Sequence, residues 1–207
     1  MNIDSFSIEG KYYSNEDSLS FKTFANDTAI VVLADGMGGL SFGKEASDLV
    51  VNTITEFVSD NVDNLPAKEM LFKSLEYADV AIAQKSIEYH SKMGAAIALA
   101  FITGNQVHYT WLGNVRIYLV KPNYIEQLTT DHVLDVGYGK FLLTRCIKGG
   151  GLREELPYHN IKANAGDTLV LCTDGLYKQI NNSQLIEINS NIEEQFEDDA
   201  SMIRIDF

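Results

Sequence analysis

Ala29-Ile30-Val31-Val32-Leu33-Ala34-Asp35-Gly36-Met37-Gly38-Gly39 is the stretch on which the fold turns. Six apolar residues in a row, rich in β-branched side chains, predict a strand buried on both faces. The run ends in an aspartate, and three of the next four residues are glycines, which permit a tight turn and close backbone approach. A carboxylate at the mouth of a buried strand is costly unless donors or a cation satisfy it. A second copy lies downstream: Thr168-Leu169-Val170-Leu171-Cys172-Thr173-Asp174-Gly175-Leu176. Either Asp-Gly alone reads as a turn. Two together, each closing an apolar strand, predict two carboxylates delivered to one place.

Working outward, residues 3–8 alternate as an opening strand, and Leu19, Phe21 and Phe24 mark a second. Asn26-Asp27 is a hairpin turn into the central strand. Residues 42–60 predict a helix, with Ala46, Leu49, Val50, Ile54, Phe57 and Val58 at steps of three and four. A second helix spans 67–92, with Leu71, Leu75, Ala78 and Ile82 as its stripe. The period changes to two at Ala95. Strands over 95–103, 106–112, 116–120 and 124–128, with turns at Gly104-Asn105, Gly113-Asn114 and Pro122-Asn123, predict an antiparallel meander. Residues 182–195 suggest a short helix capped by Ser183, and 201–207 a closing strand. The expected fold class is α+β, one domain over 1–207, with two antiparallel sheets covered by helices.

The net charge of −13 disfavours a nucleic-acid partner, whose phosphates need cations. The N-terminus lacks the pattern of a signal peptide, and no apolar run reaches transmembrane length, so no membrane is expected and a cytoplasmic setting is. Two cysteines, Cys146 and Cys172, do not make a disulfide framework.

Four acidic clusters fall at strand ends or beside them: Glu16-Asp17, Asp35-Gly36, Asp174-Gly175 and Asp198-Asp199. Oxygen ligands in this number suit Mg²⁺ or Mn²⁺ rather than zinc. Two such ions about 4 Å apart clamp a phosphoryl group and activate water.

The ordered motifs resemble the metal-dependent protein phosphatases of the type 2C class, bacterial branch. They are Asn15-Glu16-Asp17, Ala34-Asp35-Gly36-Met37-Gly38-Gly39, Gly113-Asn114-Val115-Arg116, Thr130-Asp131-His132, Leu143-Thr144-Arg145, Cys172-Thr173-Asp174-Gly175-Leu176 and Asp198-Asp199-Ala200-Ser201. The resemblance implies layers in the order α-β-β-α and a centre of two Mn²⁺ or Mg²⁺ ions, with a weak third. Asp35 would bridge the two ions, joined by Asp174 and Asp198 at the first metal and by Glu16 and the Gly36 carbonyl at the second. Asp17 would hold water from behind. Asp199 is read as a solvated neighbour and His132 as structural. The implied reaction is in-line attack of a metal-bound hydroxide on phosphoserine or phosphothreonine of a protein, a substrate of some Ser/Thr kinase, by a monomeric enzyme.

Four departures stand out, one of them Met93-Gly94-Ala95-Ala96 where the resemblance implies Gly-Thr-Thr. Tyr12 occupies the place of a phosphate-gripping arginine, with Lys11 beside it as a partial substitute. Asn114 stands where the resemblance implies an aspartate for the third metal. Only ten residues separate His132 from Leu143, a shortened flap. These departures leave open a second reading, a phosphatase-like domain that binds a phosphoprotein or partner with little turnover. A third, a Mg²⁺-binding structural domain, explains the acidic motifs but not their order.

Overall fold

The structure is a computed structural model. It describes residues 1–37, 42–122, 124–138, 140–152, 154–192 and 195–207. Gly38 and Gly39 of the glycine turn, Asn123 of the Pro122-Asn123 turn, and Glu193 and Glu194 near the end of the last predicted helix lie outside the described residues.

Twelve strands are described: β1 Asn2–Ile8, β2 Asp17–Phe24, β3 Thr28–Gly36, β4 Ala95–Thr103, β5 Gln106–Leu112, β6 Arg116–Lys121, β7 Tyr124–Gln127, β8 Val133–Gly137, β9 Lys140–Leu143, β10 His159–Lys162, β11 Thr168–Cys172 and β12 Ala200–Asp206. Four helices accompany them: α1 Gly43–Asn61, α2 Ala67–Glu88, α3 Asp174–Tyr177 and α4 Asn182–Glu187. One sheet runs β10-β5-β4-β3-β2, the other β1-β12-β11-β6-β7, and β8-β9 forms a separate ribbon. All pairings are antiparallel.

The two-residue periodicity of strands builds the core. On β3, Ile30, Val32 and Ala34 face α1 and α2, whose Ala46, Val50, Ile54, Leu71, Leu75, Ala78 and Ile82 are fully buried against them. Val31 and Leu33 face the other way, onto Leu169, Leu171, Ile203 and Ile205 of the second sheet. That sheet's outer face, with Val170, Cys172 and Met202, is covered by α3, α4 and Phe196. The layers are therefore α-β-β-α, as expected, but the second helical layer is slight. Asn26 and Asp27 both hold left-handed backbone (φ 57° and 50°), which makes the tight β2-β3 hairpin. No helix among the described residues is long and apolar enough to cross a membrane.

Three expectations are corrected. The meander over 95–128 does not form one sheet: β4 and β5 pair, but β6 leaves for the other sheet and pairs with β11 and β7. The break is at Gly113, with φ 108° and so little room that a Cβ would lie 2.5 Å from that of Ala96. The helix predicted over 182–195 stops at Glu187, and its cap is Asn181, not Ser183. The Asn181 side chain accepts from the amides of Ser183 and Gln184, while Gln184 returns a bond to the Asn181 amide. The second long helix ends at Glu88 rather than near 92, where His90 turns left-handed.

Candidate metal centre and active site

The inner faces of both sheets change character toward one end of the sandwich. Along β3 the inward series Val31, Leu33 continues as Asp35; along β2, Leu19 is preceded by Asp17. On the second sheet Leu171 gives way to Thr173, and Ile203 to Ser201 and Asp199. The apolar core thus ends in an acidic floor. Asp17 and Asp35 are directly opposed across β2 and β3, a like-charge pair that destabilises a sheet unless something neutralises it.

A cleft of about 760 Å³ opens on this end. Glu16, Asp17, Asp35, Gly36, Asp174 and Asp198, all predicted for the site, line it together. Asp17 is 3% exposed; its Oδ2 accepts from the Thr173 hydroxyl at 2.9 Å. Burial pushes the Asp17 carboxyl up to about 8, against the pull of hydroxyl bonds from Ser201 and Thr173, with Asp199 and Asp174 adding repulsion. Asp35 is driven well above the usual carboxylate range, first by burial and then by the charges of Asp17, Asp174 and Asp198. Glu16 and Asp198 are raised mainly by burial as well. Glu16 is set at the start of α1, where its carboxylate takes the Gly43 amide and benefits from the helix dipole. Gly36 has no room for a side chain, since a Cβ would lie 2.3 Å from the Gly43 carbonyl oxygen.

The donor set fits divalent metal. It is all oxygen and mostly anionic, and its cost in isolation is the cost that a bound cation removes. Among the described residues no three acidic, His or Cys side chains close to the spacing of one ion's ligands. The case therefore rests on shared burial and charge, not on a preformed coordination sphere.

Several residues emerge only in three dimensions. Asp199 is not a solvated neighbour: its Oδ1 and Oδ2 accept the amides of Gly10 and Glu16, each at 2.8 Å, tying the first motif to the last. Lys44 lines the cleft and donates to the Asp17 carbonyl, Ser18 Oγ and Asp48. Lys178 bonds Asp174. Phe141, Leu142 and Leu143 of the β8-β9 ribbon, which is the short flap, form an apolar wall. Neither Lys11 nor Tyr12 lines the cleft. Lys11 is paired with Glu197, and Tyr13 stands at the rim instead. His132 stacks on Trp111, and its Nδ1 accepts the Gly113 amide, which makes it a neutral strut with a lowered pKa from burial. Lys44 and Lys178 carry no sequence pattern that would mark them; Asp199 was visible but undecidable beside Asp198.

The family model described as protein phosphatase 2C matches residues 9–202. The chain belongs to the protein phosphatase 2C family. The serine/threonine phosphatase stp of Listeria monocytogenes is 27% identical over 197 residues, 85% of this chain and 77% of that protein. Among solved structures, the Mycobacterium tuberculosis serine/threonine phosphatase PstP/Ppp superposes with a TM-score of 0.82 at 22% identity, covering 100% of this chain and 98% of that one. A second, the catalytic domain of the serine threonine protein phosphatase PstP in complex with 2 manganese ions, gives 0.79 at 24%, covering 99% and 97%. At these identities the superpositions establish the α-β-β-α fold. Family membership assigns the enzyme class, protein serine/threonine phosphatase, and the metal class, Mn²⁺ or Mg²⁺.

Proposed function

We propose that this chain is a single catalytic domain that removes phosphate from phosphoserine or phosphothreonine in a protein, using a pair of Mn²⁺ or Mg²⁺ ions in the acidic cleft. The observation that carries the reading is the cross-strand pair of buried Asp17 and half-buried Asp35, at the end of the sandwich where Asp174 and Asp198 also line the cleft. In this reading Asp35, Asp174, Asp198, Glu16 and the Gly36 carbonyl would hold the ions, with Asp35 shared by the two. When bound, the ions supply Lewis acidity for the phosphoryl group and acidify water.

The chain's own groups do the rest. Asp17, held by the Thr173 hydroxyl, would position water at the floor of the cleft. Asp199 fixes the backbone of Glu16 and so aims its carboxylate. The Phe141-Leu142-Leu143 wall keeps one side dry, which strengthens each electrostatic contact inside. Lys44 lines the cleft, where Lys11 and Tyr12 do not, and we retain those two only as outer contacts for a phosphoprotein. Two free, buried thiols support a cytoplasmic setting.

The second reading, binding with little turnover, is favoured by the ammonium of Lys178 on Asp174. Hydrolysis of p-nitrophenyl phosphate and of a phosphothreonine peptide, with Mn²⁺, Mg²⁺ or EDTA, separates the two. Metal-dependent release of phosphate, abolished by EDTA, is expected. Saturable binding of the phosphopeptide with no release would establish the second reading instead.

A further inference from the structure

Lys178 follows Asp174 by one helical turn, so its side chain folds back onto that carboxylate, which lines the cleft. Its Nζ lies 2.7 Å from Asp174 Oδ2, and the same oxygen accepts the Asn114 amide nitrogen at 2.9 Å. One carboxylate oxygen thus carries a full positive charge and a neutral donor. The support is built, not incidental. The Tyr177 hydroxyl donates to the Asn114 carbonyl at 3.0 Å, and the Arg116 guanidinium stacks on the Tyr177 ring at 3.7 Å. Arg116 is itself held by a forked pair of bonds to Asp131. On the other side of the amide, Asn114 Oδ1 is buried and has no hydrogen-bond partner among the described residues.

We infer that Lys178 is a tethered monovalent cation of the acidic cleft, which neutralises Asp174 and competes with divalent metal for it. The inference rests on the metal reading proposed above. The Lys178 side chain is 62% exposed and that of Asp174 only 16%, so the ammonium comes from the mouth and the carboxylate stays below. A lysine on a flexible stem gives way at small cost, because a half-exposed ion pair contributes little. A divalent ion then has to displace the lysine or share Asp174 with it, and either weakens metal binding. Asn114 fits this arrangement: an amide donates to the carboxylate already paired with lysine, which a second carboxylate would not do.

The test measures Mn²⁺ binding to the metal-stripped full chain, by electron paramagnetic resonance of free Mn²⁺, alongside the rise in melting temperature that Mn²⁺ brings. Removing one unit charge beside a bound divalent ion in a partly wetted cleft should tighten binding about tenfold. Lys178→Met should show that gain, and Lys178→Gln should reproduce it through a different side chain. Lys178→Arg, which keeps the cation, should bind as the wild type does. Lys73→Met, which breaks only a surface pair with Glu69 on α2, should also match wild type. Superimposable isotherms for wild type, Lys178→Met and Lys178→Gln would overturn the inference while leaving the metal reading intact. Equal tightening in Lys73→Met would overturn it in favour of net charge. Absence of Mn²⁺ binding in every protein would overturn the metal reading and the inference with it.

Discussion

The ends of β3 and β11 carry the same two residues, Asp-Gly, and treat them differently. At Asp35 no hydrogen-bond donor among the described residues reaches the carboxylate, and burial and neighbouring carboxylates all press it toward the protonated form. At Asp174, Asn114 and Lys178 both donate to one oxygen. Motif identity therefore does not mean electrostatic identity. Asp35 has no hydrogen-bond donor among the described residues, whereas Asp174 has a cation within the chain. The two ends agree sterically. A Cβ on Gly36 would lie 2.3 Å from the Gly43 carbonyl oxygen, and one on Gly175 would lie 2.2 Å from that of Asp199.

The largest expected effect sharpens the electrostatic contrast. Asp35→Asn removes a charge that would help hold both ions. Several kcal/mol of transition-state stabilisation then disappear, about a thousandfold in Mn²⁺-dependent kcat/KM. Asp174→Asn should also lose most of the activity. The two part company without metal: at pH 8 Asp35→Asn should melt higher than wild type, because an unsatisfied buried charge is gone, whereas Asp174→Asn should not, because Lys178 loses its partner. If both variants shifted the metal-free melting temperature equally, the contrast between the strand ends would be wrong.

Metal removal reads the same contrast through pH. The Asp17, Asp35 and Glu16 carboxyls are raised in the folded, metal-free protein. A raised carboxyl contributes stability that is fully present below its unfolded value, near 4, and is lost as pH climbs through the folded value, about 8 for Asp17. The protein in EDTA should therefore melt progressively lower from pH 5 to pH 8.5. Saturating Mn²⁺ should raise the melting temperature most at the alkaline end, where the carboxylates are ionised to receive it. A metal-free melting temperature that stayed level across that range would refute the electrostatic account of the cleft.

The sequence made the acidic floor legible because strand periodicity is local. Once β2, β3 and β11 are recognised, inward residues follow by counting in twos, and Asp17, Asp35 and Thr173 fall on the inner face without further information. The helices were legible for the same reason, through the stripes Ala46-Val50-Ile54 and Leu71-Leu75-Ala78-Ile82. Apart from the helix ends, what failed depends on distant pairing. Gly113-Asn114 reads as a hairpin turn, but the close approach of Ala96 makes it a crossover between sheets. The stretch 133–143 reads only as a shortened flap, and it folds as the β8-β9 ribbon with Leu134, Phe141 and Leu142 largely exposed. Lys11 stands next to the first motif in sequence, and the residue it pairs with, Glu197, lies far along the chain. Register along one strand is written in the sequence; the partner of a long charged side chain is not.

The steric likeness of the two ends predicts a smaller, shared effect. Gly36→Ala and Gly175→Ala each force a side chain into backbone, which overpacking data place at roughly 1–3 kcal/mol. Chemical denaturation should show similar losses for both. Gly175→Ala should in addition weaken Mn²⁺ binding, because the backbone it displaces is that of Asp198 and Asp199. Equal stability with unaltered Mn²⁺ binding would mean that this segment yields without moving its carboxylates.

The smallest effect expected is that of Asn114→Asp, and it tests how far Lys178 shapes the second strand end. The substitution deletes the 2.9 Å amide bond to Asp174 and puts a carboxylate in its place. Two carboxylates then face each other, and Lys178, already on Asp174, lies near both. Hard divalent ions prefer anionic oxygen, so the new charge should lower the Mn²⁺ concentration for half-maximal rate. The gain should be modest, within about threefold, since Lys178 offsets part of the added charge at this half-exposed position. In the metal-free protein the lost bond should cost about 1 kcal/mol. If Asn114 served only the turn between β5 and β6, neither the Mn²⁺ titration nor the metal-free stability would change, for aspartate suits such turns as well as asparagine does. Combining Asn114→Asp with Lys178→Met decides the matter. Freed of the lysine, the added carboxylate should lower the Mn²⁺ requirement by more than the sum of the two single changes, because the sites touch the same oxygen and distant, independent sites would simply add. Strict additivity would show that Asn114 and Lys178 act on the metal separately, and that the second Asp-Gly end is not the coupled unit its hydrogen bonds describe.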